Sequence, residues 1–367
     1  MKILFLEPFF GGSHKDFALG FAAHSSHDVD LVTLPDSFWK WRMQGASLYF
    51  INHIKNLGEY DLIFTTDMMN LTDFMALAGR KLPPIVMYFH ENQLSYPLGF
   101  HGKKEAHLGF ANILSAVAAD GLFFNSSYHL KAFLGEAGRL VKQMPDNRPE
   151  WLLAELEQRG QVLYPGCRFD ASPFNFGKNS QDNPLDKPLI IWNHRWDYDK
   201  KPKIFFKVLS ELKKKGVGFY LALLGEQYEI IPEVFTRAKE MFEKELLVYG
   251  YVESREEYRS WLSRGSVVVS TAIQENFGIS VVEAIRHGCF PLLPNRLAYP
   301  EILPRNFHRD ILYTSTSDLG QKLESFLKNP DSFLPLHQSL SDNTRRFSWE
   351  IMVKQYDRIL EKFTIGC

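Results

Sequence analysis

Short apolar runs without polar alternation recur along this chain, and each closes on a polar or glycine-containing cluster before a helical stretch. Residues 3–6, 29–33, 60–66, 84–89, 121–125 and 161–164 form one series; residues 189–192, 219–224, 246–249, 266–270 and 290–293 form a second. Such runs predict strands buried on both faces, and their alternation with helices predicts parallel sheets built by βαβ crossovers. In an open parallel sheet, ligands lie outside the carboxyl ends of the strands. The polar residues that follow each run are therefore the candidates for chemistry.

Between the two series, residues 165–188 are rich in Pro, Gly and Asn, the composition of a linker. A chain of 367 residues is long enough for two ordinary domains. The expected division is 1–170 and 185–347, with a final helix, about 348–367, returning to the first domain. Ser348 ahead of that apolar-periodic stretch is an N-cap signal.

Composition excludes several classes. A net charge of −1 gives no chain-wide basic field for holding nucleic acid, so any such contact requires a local patch. The three cysteines, Cys167, Cys289 and Cys367, have no zinc-like spacing and fit free thiols in a reducing, cytoplasmic compartment. No segment reaches the length of a membrane span, and no basic amphipathic helix suggests a membrane surface.

The most specific constellation runs from Ser266 to Gly288. An apolar strand leads into a loop carrying Glu275, then a Phe277-Gly278 turn, then a helix carrying Glu283. A helix that opens directly after a strand presents free N–H groups and a positive dipole end to one point. That arrangement suits a sugar nucleotide. The diphosphate would sit on the N–H groups around Asn276, Phe277, Gly278 and Ile279, with one carboxylate on sugar hydroxyls and the other on ribose hydroxyls. Departure of a diphosphate without a metal also needs cations. Arg195 and Lys200, on the loop after residues 189–192, supply them; Lys201 is an adjacent alternative.

In the first series, Gly11 and Gly12 follow the first strand and precede Ser13 and His14. The glycines permit close backbone approach to a ligand, or they make a tight turn with Ser13 as helix cap. Asp67 closes the third strand. His90, Glu91, Asn92 and Gln93 close the fourth, where His90 can bond a sugar or settle a local turn. Trp39, Trp41 and Arg42 interleave aromatic and basic side chains. They can stack and clamp a nucleobase, or form an amphipathic helix with its aromatics on the core. Gly225 and Tyr251 follow later strands, and Arg148 lies in a polar loop.

Glu275-x7-Glu283 with Phe-Gly inside it, Arg195 and Lys200 upstream, Gly11-Gly12, Gly225, Tyr251 and the terminal helix together resemble the retaining, metal-independent nucleotide-sugar glycosyltransferases of the GT-B fold. The resemblance implies an α/β architecture of two Rossmann-like domains with parallel sheets facing a central cleft. It implies donor binding on the second domain and no metal or other cofactor. It also implies a front-face reaction in which the leaving phosphate takes the acceptor proton, and it places His90 near the donor sugar. Asn276 stands where many members carry Pro.

Further segments are similar to one subgroup, the tRNA-queuosine α-mannosyltransferases. These are residues 7–15, 39–42, 70–72, 88–94 with Tyr96-Pro97, 145–149 and 194–196. That likeness implies GDP-mannose as donor and the cyclopentenediol of queuosine in an aspartate tRNA anticodon as acceptor. Ser13, His14, Trp39, Trp41, Arg42, Asp67, Glu91, Asn92, Gln93 and Arg148 are the acceptor-side candidates, with Lys103 and Lys104 as further local cations. The short linker contrasts with a long central insertion expected of the animal enzymes. Two other readings stand beside this one. One is a retaining glycosyltransferase with another donor and a small-molecule, lipid or glycan acceptor; the other is a non-catalytic sugar-nucleotide module. Oligomeric state is left open.

Overall fold

The computed structural model describes residues 1–79, 81–97, 105–169, 185–225 and 231–364. The chain divides into two compact units, Met1–Arg168 with Phe347–Cys367, and Phe169–Arg346.

The first unit is a parallel sheet in the order β2-β1-β3-β4-β5-β6. The strands are β1 (Lys2–Phe10), β2 (Asp28–Pro35), β3 (Leu62–Thr66), β4 (Ile85–Phe89), β5 (Gly121–Phe124) and β6 (Gly160–Val162). Helices α1 (Gly12–His24), α2 (Trp39–His53), α3 (Leu71–Ala78), α4 (Ala106–Ala118), α5 (Ser127–Gln143) and α6 (Trp151–Arg159) connect them. Successive strand residues point to opposite faces, and both faces are apolar. Leu4, Leu6, Ile63 and Met87 enter one core, while Ile3, Phe5, Phe64 and Tyr88 enter the other. The chain moves from β1 outward to β2, then returns to place β3 on the other side of β1. This reversal puts the topological switch point, and hence the ligand crevice, between β1 and β3.

The terminal helix, Trp349–Leu360, covers the second of these cores through Trp349, Met352, Tyr356 and Leu360. A Cβ on Gly20 or Gly166 would meet the Trp349 indole at 1.9 and 2.1 Å, so both positions require glycine to seat it. Ser348 is the N-cap residue, but its side chain makes no capping bond. Its neighbours tie the segment to the β6 side instead: Cys167 N donates to Phe347 O at 2.6 Å, and Trp349 N to Cys167 O at 3.2 Å.

The second unit is also a six-stranded parallel sheet but with a different strand order, β12-β11-β10-β7-β8-β9, in which the chain runs out through two further strands before it reverses. Its strands are β7 (Leu189–Trp192), β8 (Tyr220–Leu224), β9 (Leu246–Gly250), β10 (Val267–Val269), β11 (Phe290–Pro294) and β12 (Leu312–Tyr313). Among the described residues, its helices of eight or more residues are α7 (Pro202–Lys214), α8 (Glu233–Met241), α9 (Arg255–Arg264), α10 (Ile279–Arg286), α11 (Thr316–Lys328) and α12 (Leu334–Thr344). The switch point lies between β7 and β10. The two-residue β12 is too short to stand out as an apolar run in the sequence. Trp196 stacks on Phe235 at 4.1 Å, and a Cβ on Gly225 would meet the His194 carbonyl oxygen at 1.9 Å. Gly225 thus lets β8 end against the loop that follows β7. Cys167 and Cys289 are buried free thiols; Cys367, with Lys103 and Lys104, lies outside the described residues.

Candidate active site

At the switch point of the second unit, the loops after β7 and β10 are knitted together. Residues Tyr198–Lys200 form a 3-10 turn. Ile273 N donates to Asp199 O at 2.7 Å, and Thr271 Oγ1 donates to Lys200 O at 2.7 Å. This folds Lys200 inward to 7% exposure. Its Nζ donates to Gln274 O at 2.8 Å and lies 3.3 Å from both Glu275 Oε2 and Asp199 Oδ2. Arg195 reaches Asp199 at 3.9 Å with its guanidinium partly open to solvent. Lys201 takes the left-handed conformation at the start of α7 and has no such partners, so the geometry separates the two lysines. Asp199, fully buried, is the hub holding both cations, and the sequence reading missed it.

Gly278 precedes α10 with φ of 99°, a conformation that favours glycine, and no side chain caps the helix. Phe277 is buried behind this turn, and Asn276 Oδ1 accepts from Gln274 Nε2 at 3.1 Å. Asn193, at the end of β7, donates to Ser280 O at 2.7 Å and to Tyr258 Oη at 3.0 Å; Tyr258 in turn reaches Glu283 at 3.5 Å. Burial, then the Glu283 charge, push the Tyr258 hydroxyl well above its usual range, so it stays a donor. His194 is buried and neutral: burial, with Lys200 and Arg195 nearby, holds its pKa well below the usual value. The crevice therefore presents two cations and an uncapped helix start, which is an anion-binding layout. Gly225 adjoins it, whereas Tyr251 lies after the edge strand β9 with an exposed side chain.

The switch point of the first unit is built around buried carboxyl groups and histidines. Glu7, on β1, is fully buried. Its Oε1 accepts from Phe9 N at 2.9 Å, Thr66 Oγ1 at 3.1 Å and His14 Nδ1 at 3.2 Å. Asp67 Oδ1 accepts from His90 N at 2.8 Å and Glu91 N at 3.4 Å. Glu7 Oε2 and Asp67 Oδ2 are buried without a hydrogen-bond partner. Burial lowers the His14 pKa, but the Glu7 charge and hydrogen bond, with Asp67 and Glu91, overcome it and raise the group to about 9. Burial raises the Asp67 carboxyl to about 8, with the His14 charge opposing and Glu91 adding to the rise. His90 packs on His14 at 4.1 Å and is held neutral by burial and by the neighbouring His14 and His129. Glu7, His14 and His90 each offer a ligand atom, and these lie within 4.8 Å of one another.

The remaining candidates divide. Gln93 bonds Glu91 at 3.1 Å at the rim of this group. Asn92 turns inward. Its Oδ1 accepts from Leu94 N and Ser95 N, and its amide bonds Ser95 and His129, so it folds the loop and has nothing left for a ligand. Gly11, not Ser13, is the N-cap of α1. A Cβ there would meet Asp36 at 2.0 Å, so Gly11 serves the approach of the β2–α2 loop, and Ser13 is left exposed. The two tryptophans face opposite ways. Trp39 packs with Phe9 against Met43, Met68 and Leu108, while Trp41 is 72% exposed. Arg42 braces the β2–α2 loop through Pro35 O and Ser37 Oγ. Arg148 is not brought to the group. The helix α5 leaves the carboxyl end of β5 and runs back along the sheet, and Arg148 lies beyond its far end, bonded to Met144 O. Glu7 and Asp199 are the residues the sequence reading missed. A carboxylate inside an apolar strand, and a second Asp ahead of Lys200, were the available signals.

Comparison with known proteins now fits this geometry. Residues 174–347 match the family described as glycosyl transferases group 1, and residues 2–167 match the family described as tRNA-queuosine alpha-mannosyltransferase N-terminal. Among solved structures, Anabaena HepE in complex with UDP aligns over 99% of this chain and 100% of its own, with a TM-score of 0.69 at 16% identity. Sucrose-phosphate synthase from Thermosynechococcus elongatus aligns over 100% of both chains, with a TM-score of 0.74 at 12% identity. The chain is a glycosyltransferase with the GT-B fold. A tRNA-queuosine alpha-mannosyltransferase of Drosophila melanogaster is 34% identical over 98% of this chain and 96% of its own length. The chain belongs to the tRNA-queuosine alpha-mannosyltransferase family. With that coverage, no long central insertion separates it from this animal relative, contrary to the expectation from the short linker. A Dictyostelium discoideum GDP-Man:Man(3)GlcNAc(2)-PP-Dol alpha-1,2-mannosyltransferase is 27% identical over 29% of this chain and 22% of its own.

Proposed function

We propose that this enzyme transfers mannose from GDP-mannose to queuosine in the anticodon of aspartate tRNA, with retention of configuration and without a metal. The observation that carries the reading is the 34% identity spread over nearly the whole of both chains, acceptor-side unit included. GDP-mannose as donor is supported by the names of two mannosyltransferase relatives, one of which names that donor.

In this reading the second unit binds the donor. The diphosphate rests on the uncapped N–H groups of α10, Arg195 and Lys200 neutralise the charge that develops as it leaves, and Glu275 and Glu283 hold sugar and ribose hydroxyls. Asp199 and Glu275 fix the Lys200 ammonium, so the cation is in place before the charge appears. These groups supply the counter-charge that a metal ion would otherwise bring. The leaving phosphate oxygen accepts the acceptor hydroxyl's proton as the new glycosidic bond forms on the face the phosphate vacates. His14, Asp67, Glu91, Gln93 and His90 contribute to the acceptor side, and Trp41 offers a face on which a splayed base can stack. No helix among the described residues is long and apolar enough to cross a membrane; we take the enzyme to work in the cytoplasm, where tRNA is found.

Incubation with radiolabelled GDP-mannose or UDP-glucose and bulk tRNA, with and without queuosine, tests this. Label from GDP-mannose confined to queuosine-containing tRNA is expected. Label in queuosine-free tRNA, or transfer from UDP-glucose alone, overturns the reading, and loss of transfer on chelation overturns its metal-free part.

A further inference from the structure

We propose that the outer face of α7, through Lys203, Lys207 and Lys214, binds the phosphate backbone of the acceptor tRNA's anticodon stem as that stem leaves the crevice of the second unit. The inference rests on the reading that the acceptor is tRNA and that this crevice holds the donor. It adds an interaction surface on the donor-binding unit.

The sequence from Lys200 to Lys215 holds seven lysines and one glutamate, the densest basic run in a chain whose net charge is −1. The structure sorts these lysines by what they touch. Lys200 is buried in the crevice between Asp199 and Glu275, and Lys201 makes the turn into the helix. Lys213 pairs with Glu245 at 2.9 Å and donates to Met241 O at 2.7 Å. Lys215 pairs with Glu324 at 2.6 Å, so both are tied to segments packed beside α7. Lys203, Lys207 and Lys214 are exposed and have no carboxylate partner among the described residues. Spacings of four and seven residues put these three on one side of the helix, in a row about 16 Å long. The other side, with Phe205, Phe206, Val208, Leu209 and Leu212, is buried.

Folding gains nothing from this row. Lys203 lies in the first turn, where the helix dipole favours acids over cations, and Lys203 and Lys207 repel one another across four residues. A polyanion laid along the row relieves both. The helix begins two residues after Lys200, so its first turn lies beside the crevice and the row runs from there toward the far end of the sheet. The nucleotide that receives the sugar must reach this crevice, so the stem that carries it passes the same edge. Lysine ammonium groups are point charges suited to phosphates. No aromatic side chain of α7 is exposed, so the row contacts backbone and reads no bases. An anionic membrane is the competing occupant. It fits less well, because a helix lying on lipid inserts its apolar face, and that face of α7 is spent on the core.

The test is the salt dependence of RNA binding to the full chain, read by fluorescence anisotropy with a labelled queuosine-containing anticodon stem-loop and with the unpaired loop alone. The triple substitution Lys203→Gln, Lys207→Gln and Lys214→Gln should weaken stem-loop binding about tenfold near physiological salt and lower the slope of log K against log salt by about 2–3. Binding of GDP-mannose and of the loop alone should stay at wild-type affinity, and Tm should not fall. In transfer assays KM for tRNA should rise with kcat held, and arginine at the same three positions should restore stem-loop binding. An unchanged salt slope in the glutamine variant, or an equal loss for the loop alone, overturns the proposal. Wild-type binding to phosphatidylglycerol vesicles that the glutamine variant loses, with tRNA binding intact, also overturns it, in favour of a membrane. A wild-type chain that binds no tRNA sinks the acceptor reading and this surface together; tRNA binding with an unchanged slope sinks this surface alone.

Discussion

The two switch-point crevices of this chain both lie where the strand order reverses, and they differ in the groups buried there. In the second unit, Lys200 is buried between Asp199 and Glu275 with its ammonium bonded to a carbonyl, and Arg195 leans on the same Asp199. In the first unit, Glu7 and Asp67 occupy the corresponding strand ends, and each keeps one buried oxygen unpartnered. The sheet decides where a ligand can sit, because only at the reversal of strand order do adjacent loops part. The loop residues decide what that ligand is. One crevice is built on a buried lysine between two carboxylates, the other on a buried carboxylate paired with a histidine.

Breaking the crevice of the second unit has the largest effect. Lys200→Ala removes the cation and strands two carboxylates, so transfer should fall by roughly 10²–10³-fold, the range seen when one transition-state donor is lost. Thermal unfolding should report a loss on the order of 3–5 kcal/mol, because a buried pair has lost one partner. Arg195→Ala, on a half-open side chain, should cost turnover with little change in Tm. If the two variants lose stability equally, the buried hub at Asp199 is misread.

The crevice of the first unit responds to pH. Its His14 pKa lies near 9, above the ordinary 6.5, and Asp67 lies near 8, above 3.8. Both groups hold protons in the folded state that the unfolded chain has released. Stability contributed by His14 is therefore complete below about pH 6.5 and lost as pH rises through 9, while the Asp67 contribution is complete only below about pH 3.8 and is lost as pH rises through 8. Unfolding free energy should fall between pH 6.5 and 9, and His14→Gln should flatten the fall. A wild-type curve that is flat across that window contradicts the coupling.

The smallest effect separates the two tryptophans. Trp39→Ala removes packing from Met43, Met68 and Leu108 and should destabilise by about 2–3 kcal/mol, somewhat less than a fully buried truncation. Trp41→Ala should shift stability by less than about 0.5 kcal/mol yet weaken tRNA binding by about 1–2 kcal/mol, the value of one base stacked on an aromatic ring. Unchanged tRNA affinity in Trp41→Ala removes that side chain from the acceptor surface.

The parallel sheets and the crevice of the second unit were legible because they are local. Apolar runs mark the strands, and Glu275, Phe277, Gly278 and Glu283 lie within one strand–loop–helix segment whose spacing fixes their geometry. Arg195 and Lys200 were legible as charges, but their ranking against Lys201 was not, since the left-handed turn at Lys201 and the bond from Ile273 to Asp199 decide which lysine faces inward. The crevice of the first unit was harder. Glu7, His14, Asp67 and His90 come from elements far apart in the chain and meet only because β1, β3 and β4 are neighbours in the sheet. Asn92 and Arg148 look functional in sequence because polar loop residues do. Their side chains are spent on folding the loop and on a helix-end carbonyl, which only the three-dimensional bond pattern reveals.

The division of labour between the crevices is tested most directly by titrating GDP-mannose into Arg195→Ala and Asp67→Asn. The account predicts about tenfold weaker donor binding in the first variant, equivalent to about 1.4 kcal/mol, and wild-type donor affinity in the second. Donor binding abolished by Asp67→Asn and untouched by Arg195→Ala would contradict it.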